Sequence, residues 1–200
     1  MLLVFNKLFK AYCIFCLMEK CEWCLGSESM IRYHDEEWGV PLHDDKKLFE
    51  FLVLDAFQAG LSWSTILNKR ENFRKAFDGF DYKKIAKYSD KDFERLIMDA
   101  GIIRNRLKIL ATIENAKQFM EIQKEFGSFD KYIWGFVNGK PLVNNFKSLK
   151  EIPAKTEISD EMSKDLKKRG FKFVGSTICY AFMQAAGLVN DHTLNCFRRK

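Results

Sequence analysis

The chain has 200 residues, 47% of them hydrophobic, enough for one good core or two small lobes sharing a cleft and too few for more. Its formal net charge of +6 suits an anionic partner such as nucleic acid without requiring one. Six cysteines would suggest disulfides in a secreted chain, but Asn6, Lys7 and Lys10 interrupt the apolar opening and no small-residue cleavage site follows. The same stretch is too short and too charged to span a bilayer, so a cytoplasmic protein with reduced thiols and no membrane partner is expected.

Residues 1–17 precede MEKCEW, which reads as a natural start at Met18. They are expected to be an extension or a misassigned upstream start, outside a domain of residues 18–200. Cys13, Cys16, Cys21 and Cys24 form two CxxC pairs, and Cys16, Cys21 and Cys24 have a ferredoxin-like spacing. No fourth cysteine lies at a fitting position, and a packed apolar segment explains the neighbours equally well.

Past residue 40 the apolar spacing is helical. Asp44 caps a predicted helix through KKLFEFLVLDAFQA that Gly60 ends, and Ser89 caps DKDFERLIMDA, closed by Gly101. A long helix follows in NRLKILATIENAKQFMEIQKEF, stopped by Gly127. Residues 138–158 hold two of the three prolines and read as an irregular connection. Ser159 is the expected cap of DEMSKDLKKR, Gly170 stops that helix, and a last one runs through STICYAFMQAA to Gly187. The fold class is therefore all-α.

Three constellations carry chemistry. Cys21 and His34 near the front and His192 and Cys196 near the end make a standard zinc donor set, with HxxxC placing two ligands on one helix face. One shared ion would close a loop of 157 residues, His34 to His192, at about 4 to 5 kcal/mol; structural zinc supplies about 10 to 16 kcal/mol. Buried cysteines and a core histidine are the plain alternative. Second, LKKRGFKFVGST, residues 166–177, reads as two helices joined by a tight turn, which resembles a device that grips a DNA backbone; a plain helix pair with a solvated basic face is the alternative. Gly170 and Gly175 would let amides approach a phosphate, the second helix would add its N-terminus at Ser176 and Thr177, and Lys167, Lys168, Arg169 and Lys172 would add charge. Third, Trp23, Tyr33, Trp38 and Trp63 gather about Asp55, a carboxylate in an otherwise apolar helix face. Such a carboxylate is costly without a partner, which points to a flat, N–H-rich ligand, or else to a helix-surface aspartate beside core aromatics.

YHDEEWGVP, FQAGLSW, AGIIRNRLKI and KKRGFKFVGSTICYAFMQAAGLVNDH, followed by Cys196, closely resemble the type I 3-methyladenine DNA glycosylase family, the constitutive alkyladenine glycosylases of the helix-hairpin-helix superfamily. The likeness runs from about Met18 to the end. It implies a two-lobed helix-hairpin-helix fold with a zinc clasp joining the terminal segments, and a central lobe carrying the hairpin. Its ligands would be Cys21, His34, His192 and Cys196, holding one structural Zn2+ per chain. The implied activity is release of 3-methyladenine from alkylated double-stranded DNA by a monofunctional, monomeric enzyme that leaves an abasic site. By resemblance Asp55 is the recognition carboxylate and catalytic-site residue, Trp63 stacks on the base with Tyr33, Trp23 and Trp38 around it, and Gln58 to Leu61, through Gly60, probes the gap in the duplex. Two departures stand out: Asp55 is one methylene shorter than the family's usual glutamate, and Met30 stands where an aromatic is common.

Overall fold

The computed structural model describes residues 19–199, and the described chain is mainly helical. A 3-10 turn at Glu22–Cys24 leads into helix α1 (Glu28–Glu36), capped by the Ser27 hydroxyl. Helix α2 (Asp45–Gln58) starts at the expected cap, Asp44, whose carboxylate accepts from the Lys47 N–H. Every residue from Leu48 to Phe57 is buried, so α2 is enclosed on all sides and forms the axis of the core. Helix α3 (Trp63–Ala76) is capped by Ser62 and packs back on α2. The ion pairs of Arg70 with Glu50 (2.6 Å) and Glu37 (2.7 Å) tie α3 to α2 and to the end of α1.

Short helix α4 (Tyr82–Ile85) and helix α5 (Asp90–Met98) lead to α6 (Arg106–Phe126). Gly127 ends α6 in the left-handed conformation (φ 85°), where a Cβ would be strained. Helix α7 (Phe129–Gly135) returns to α2 through Asp45, whose carboxylate accepts from the Phe129 and Asp130 amides. Helices α8 (Glu157–Lys168) and α9 (Ser176–Ala185) pack as a pair, and α9 also lies on α2.

Three local expectations need correction. Thr156, not Ser159, caps α8; Ser159 completes a reciprocal pair in which each hydroxyl accepts the other residue's N–H, so the helix begins three residues earlier. The connection 138–158 is not wholly irregular, because β1 (Leu142–Val143) pairs in parallel with β2 (Val189–Asn190), joining Leu142 to Val189. His192 and Cys196 lie on a turn, not on one helix face. The backbone N–H groups here have non-helical partners: Leu194 N–H donates to Phe146 O (2.9 Å), His192 N–H to Asn190 Oδ1 (3.2 Å), and Cys196 N–H closes a tight turn to Thr193 O (2.8 Å).

The terminal segments meet against the core. Gly187 (φ 71°) touches the Val40–Pro41 backbone so closely that a Cβ would sit 2.3 Å from Val40 C. Leu42 and Gly39 N–H groups bond to Ala186 O and Gln184 O, holding the front loop on the end of α9.

Candidate active site

The four expected metal ligands converge. Cys21, His34, His192 and Cys196 are all buried, and their donor atoms lie within 4.8 Å of one another. The distances from Cys21 Sγ to His192 Nδ1 (3.6 Å), Cys196 Sγ to His34 Nε2 (3.3 Å) and Cys196 Sγ to His192 Nδ1 (3.4 Å) match the edges, about 3.3 to 3.8 Å, of a tetrahedron with zinc bond lengths. Each imidazole also has a partner on its outer nitrogen. His34 Nδ1–H donates to Asp35 Oδ1 (2.7 Å), and His192 Nε2–H donates to Trp38 O (3.1 Å), which turns the other nitrogens toward the thiols. A hydrogen bond from the Cys196 thiol pulls the Cys21 thiol down to about 6 against the opposing effect of burial, favouring the thiolate that a metal needs. The donor set therefore fits a closed zinc site. Cys24 stands outside it, donating to Cys21 O, with its thiol pushed by burial up to about 11. Cys13 and Cys16 fall outside the described residues.

Beside this cluster lies a cavity of about 290 Å³, near the lower end of the roughly 300 to 1,000 Å³ typical of small-molecule pockets. Trp23, Met30, Tyr33 and Trp38 line one side, where Trp23 and Trp38 also meet the His34 ring and Trp38 the His192 ring, α2 contributes Asp55 and Gln58, and α3 contributes Trp63. Tyr33 and Trp63 rings are 5.1 Å apart, and Trp23 meets Trp38 edge-on at 4.9 Å. These contacts fix the aromatic surfaces at low entropic cost.

Polar atoms in the wall define what the cavity can take. Asp55 is only 2% exposed, and its Oδ2 has no hydrogen-bond partner; the indole N–H groups of Trp23 and Trp63 are likewise buried and unpartnered. Burial alone pushes the Asp55 carboxyl well above the usual carboxylate range, and burial followed by the Asp55 charge raises the Tyr33 phenol. One unsatisfied acceptor and two unsatisfied donors in an aromatic box suit a planar heterocycle bearing both N–H groups and ring nitrogens. A positive charge on that heterocycle would favour the ionised carboxylate.

The opposite wall was not read from the sequence. Leu149, Ile152, Pro153 and Ala154 come from the connection before α8, and Thr177, Tyr180, Ala181 and Gln184 from one face of α9. The i, i+3, i+4, i+7 spacing of the α9 set was the available signal. Thr177, expected among the DNA contacts, lines this cavity. Asp191, fully buried, accepts from Tyr180 Oη (2.6 Å), Gln184 Nε2 (2.8 Å) and Asn144 Nδ2 (2.6 Å), so it braces that wall and has no oxygen aimed at a ligand.

The segment between α8 and α9 is a compact loop. Gly170 takes φ 95°, and the Asn115 side chain of α6 clamps Lys172 through both its N–H and its C=O (2.8 and 3.0 Å). Lys168 and Lys172 are exposed, whereas Arg169 is bound to Glu125 and Asp165, each at 2.6 Å. The α9 N-terminus has no side-chain cap, and a Cβ on Gly175 would meet nothing within 4 Å. The Ser176 hydroxyl and then Lys155 hold the Asp160 carboxyl below its ordinary range. At the end of α2, Gly60 (φ 78°) and Leu61, 40% exposed, form a tip that projects from the core.

A family model for the methyladenine glycosylases matches residues 23–199. DNA-3-methyladenine glycosylase 1 of Escherichia coli (strain K12) is 54% identical over 179 residues, covering 90% of this chain and 96% of that protein. DNA-3-methyladenine glycosylase of Haemophilus influenzae is 50% identical over 178 residues, covering 88% and 96%. Among solved structures, a 3-methyladenine DNA glycosylase I superposes with a TM-score of 0.89 at 50% identity, covering 91% of this chain and all of that one. A tyrosine-to-phenylalanine variant of 3-methyladenine DNA glycosylase I in complex with 3-methyladenine superposes with a TM-score of 0.88 at 36% identity, covering 92% and 98%.

Proposed function

The chain belongs to the methyladenine glycosylase family, and from that premise we propose that it excises 3-methyladenine from alkylated duplex DNA, leaving an abasic site for base-excision repair. The observation that carries this reading is the unpartnered Asp55 carboxylate oxygen in an aromatic cavity lined by Trp63 and Tyr33.

A base inside a duplex is out of reach, so it must first be turned out of the stack. Trp63 and Tyr33 would then hold its faces, a stack of this kind contributing about 1 to 3 kcal/mol. Asp55 accepts from its N–H groups. An adenine methylated at N3 is cationic in DNA, and its glycosidic bond is already weak. The bond electrons pass to the base, which leaves neutral; water adds to the sugar carbon and gives up its proton. The buried carboxylate favours the cationic nucleotide over neutral adenine, and no strong acid is needed. Asp191, with its carboxylate held by three donors, is not assigned as general base, and among the described residues no lysine lines the cavity to form a Schiff base. The proposed enzyme is therefore monofunctional.

Cys21, His34, His192 and Cys196 are proposed to hold one Zn2+. The ion would act as a structural clasp, because four protein ligands leave no coordination position for water. Its place behind Tyr33, Trp23 and Trp38 braces the base pocket. We further propose that residues 18–200 form two lobes about the cavity, with the α8–α9 segment as the helix-hairpin-helix DNA grip. In it the backbone amides at Gly170 and Gly175 and the side chains of Lys168, Lys172 and Ser176 would meet the phosphates, while Thr177 faces the base cavity. Such contacts position the enzyme without reading sequence.

The test is single-turnover incubation with methylated duplex DNA. Wild type should release free 3-methyladenine and leave unbroken strands with abasic sites, and Trp63→Ala should slow release roughly 5- to 150-fold, the factor set by a lost stack. Tight binding to an abasic duplex with no release would make the protein a lesion binder instead.

A further inference from the structure

Among the described residues, Lys108 is the lysine that is buried. It lies in the first turn of α6, is only 6% exposed, and does not line the base cavity. Its Nζ donates to Phe57 O (2.7 Å) and Ala59 O (2.6 Å), two carbonyls at the C-terminal end of α2. A cation at that end is favoured by the helix dipole and satisfies carbonyls that have no helical partner. The ammonium also sits 5.9 Å from the ring centre of Phe173, in the loop between α8 and α9. Phe173 takes φ 54°, a strained value for a bulky residue, and its neighbour Lys172 is clamped by Asn115. Asn115 is seven residues beyond Lys108 on α6, two turns along the same face. One helix thus presents two buried polar side chains, one to the tip after α2 and one to the α8–α9 loop.

The tip itself has little else to hold it. Leu61 N–H bonds to Gln58 O, Gly60 has no neighbour within 4 Å of its Cβ direction, and Leu61 is exposed. We infer that Lys108 is a positioning residue for base excision: its ammonium fixes the Gln58–Leu61 tip at a set distance from the α8–α9 loop, so that the tip enters the duplex where the loop has placed it. The inference rests on the proposed glycosylase reading, in which the tip occupies the gap left by the extruded base. Burial lowers the Lys108 pKa, as it must for an ammonium exchanging water for carbonyls, but both carbonyl partners keep it engaged as a donor.

Two measurements separate this role from general damage to the fold. The first is affinity for free 3-methyladenine, followed by tryptophan fluorescence, which needs the cavity and, of the tip, only Gln58 in its wall. The second is the preference for abasic over undamaged duplex together with single-turnover excision, which needs the tip. Lys108→Met should leave free-base affinity within about twofold of wild type, reduce the abasic preference, and slow excision roughly tenfold or more. Lys108→Gln, which keeps an N–H donor, should fall between. Wild-type excision and abasic preference in Lys108→Met overturn the inference, as does parallel loss of free-base binding in both variants, which would mark a merely structural lysine. Absence of excision by wild type would instead sink the glycosylase reading, and this inference with it.

Discussion

Stripping the proposed zinc with a chelator probes the join between the residue 21–34 and 192–196 segments. In zinc-finger peptides the metal supplies the fold outright, but here α2 is enclosed, the β1–β2 pair joins residues 142–143 to 189–190, and Gly187 packs on Val40. The core therefore survives without the ion, and the loss is a binding increment. At free zinc about a thousandfold above Kd, that increment is about 4 kcal/mol. Each kcal/mol moves Tm by about 2 to 4 °C in a chain of this size, so chelation should lower Tm by roughly 8 to 16 °C. Calorimetry with elemental analysis measures both the shift and about one zinc per chain. Trp23 lies 5.5 Å from the His34 ring and Trp38 4.6 Å from the His192 ring, so tryptophan emission should change in step with metal loss. Loaded and stripped proteins melting within about 2 °C of each other would refute the clasp.

Gly187→Ala should be among the most destabilising single changes, because the added carbon meets backbone atoms at 2.3 and 2.5 Å and the residue needs φ 71°; a denaturant midpoint equal to wild type would contradict this packing. Glu50→Ala leaves Arg70 buried with half its pairing gone, and is expected to cost about 3 to 5 kcal/mol in urea unfolding. Asp55→Asn should stabilise the protein in a pH-dependent way. The folded state raises the Asp55 pKa above 3.8, so the aspartate's contribution is intact below that value and is lost as pH rises through the folded pKa. The Tm advantage of Asp55→Asn should therefore grow with pH and fade toward about pH 4, and a constant difference across pH would count against a strained carboxylate.

Much of this architecture was legible because short-range chemistry announces it. Asp44, Ser89 and Gly127 mark helix ends through caps that the backbone uses as expected. Helix α1 was hidden because only Tyr33 and His34 are buried in it, too few to show a period. Helix α3 shows little apolar period although Ser62 is a good cap, because only Ile66, Arg70, Phe73 and Ala76 are buried in it and one of these is charged. The HxxxC spacing predicts one helix face, but the Phe146 carbonyl, distant in sequence, takes the Leu194 N–H and the stretch forms a turn instead. In the site, the residue types at Asp55, Trp63 and the four metal donors were readable. The orphaned atoms, the Asp191 brace and the grip of Lys108 on α2 depend on contacts between residues 7 to 51 positions apart, which no local pattern encodes.

The account turns on Asp55 recognising the extruded base. A hydrogen bond to a charged group contributes about 1.5 to 3 kcal/mol, so Asp55→Asn should release 3-methyladenine from methylated duplex DNA roughly 10- to 150-fold more slowly than wild type under single turnover. Asp55→Glu, reaching about 1.5 Å further, should remain active on the same DNA. Release by Asp55→Asn at the wild-type rate would contradict the account.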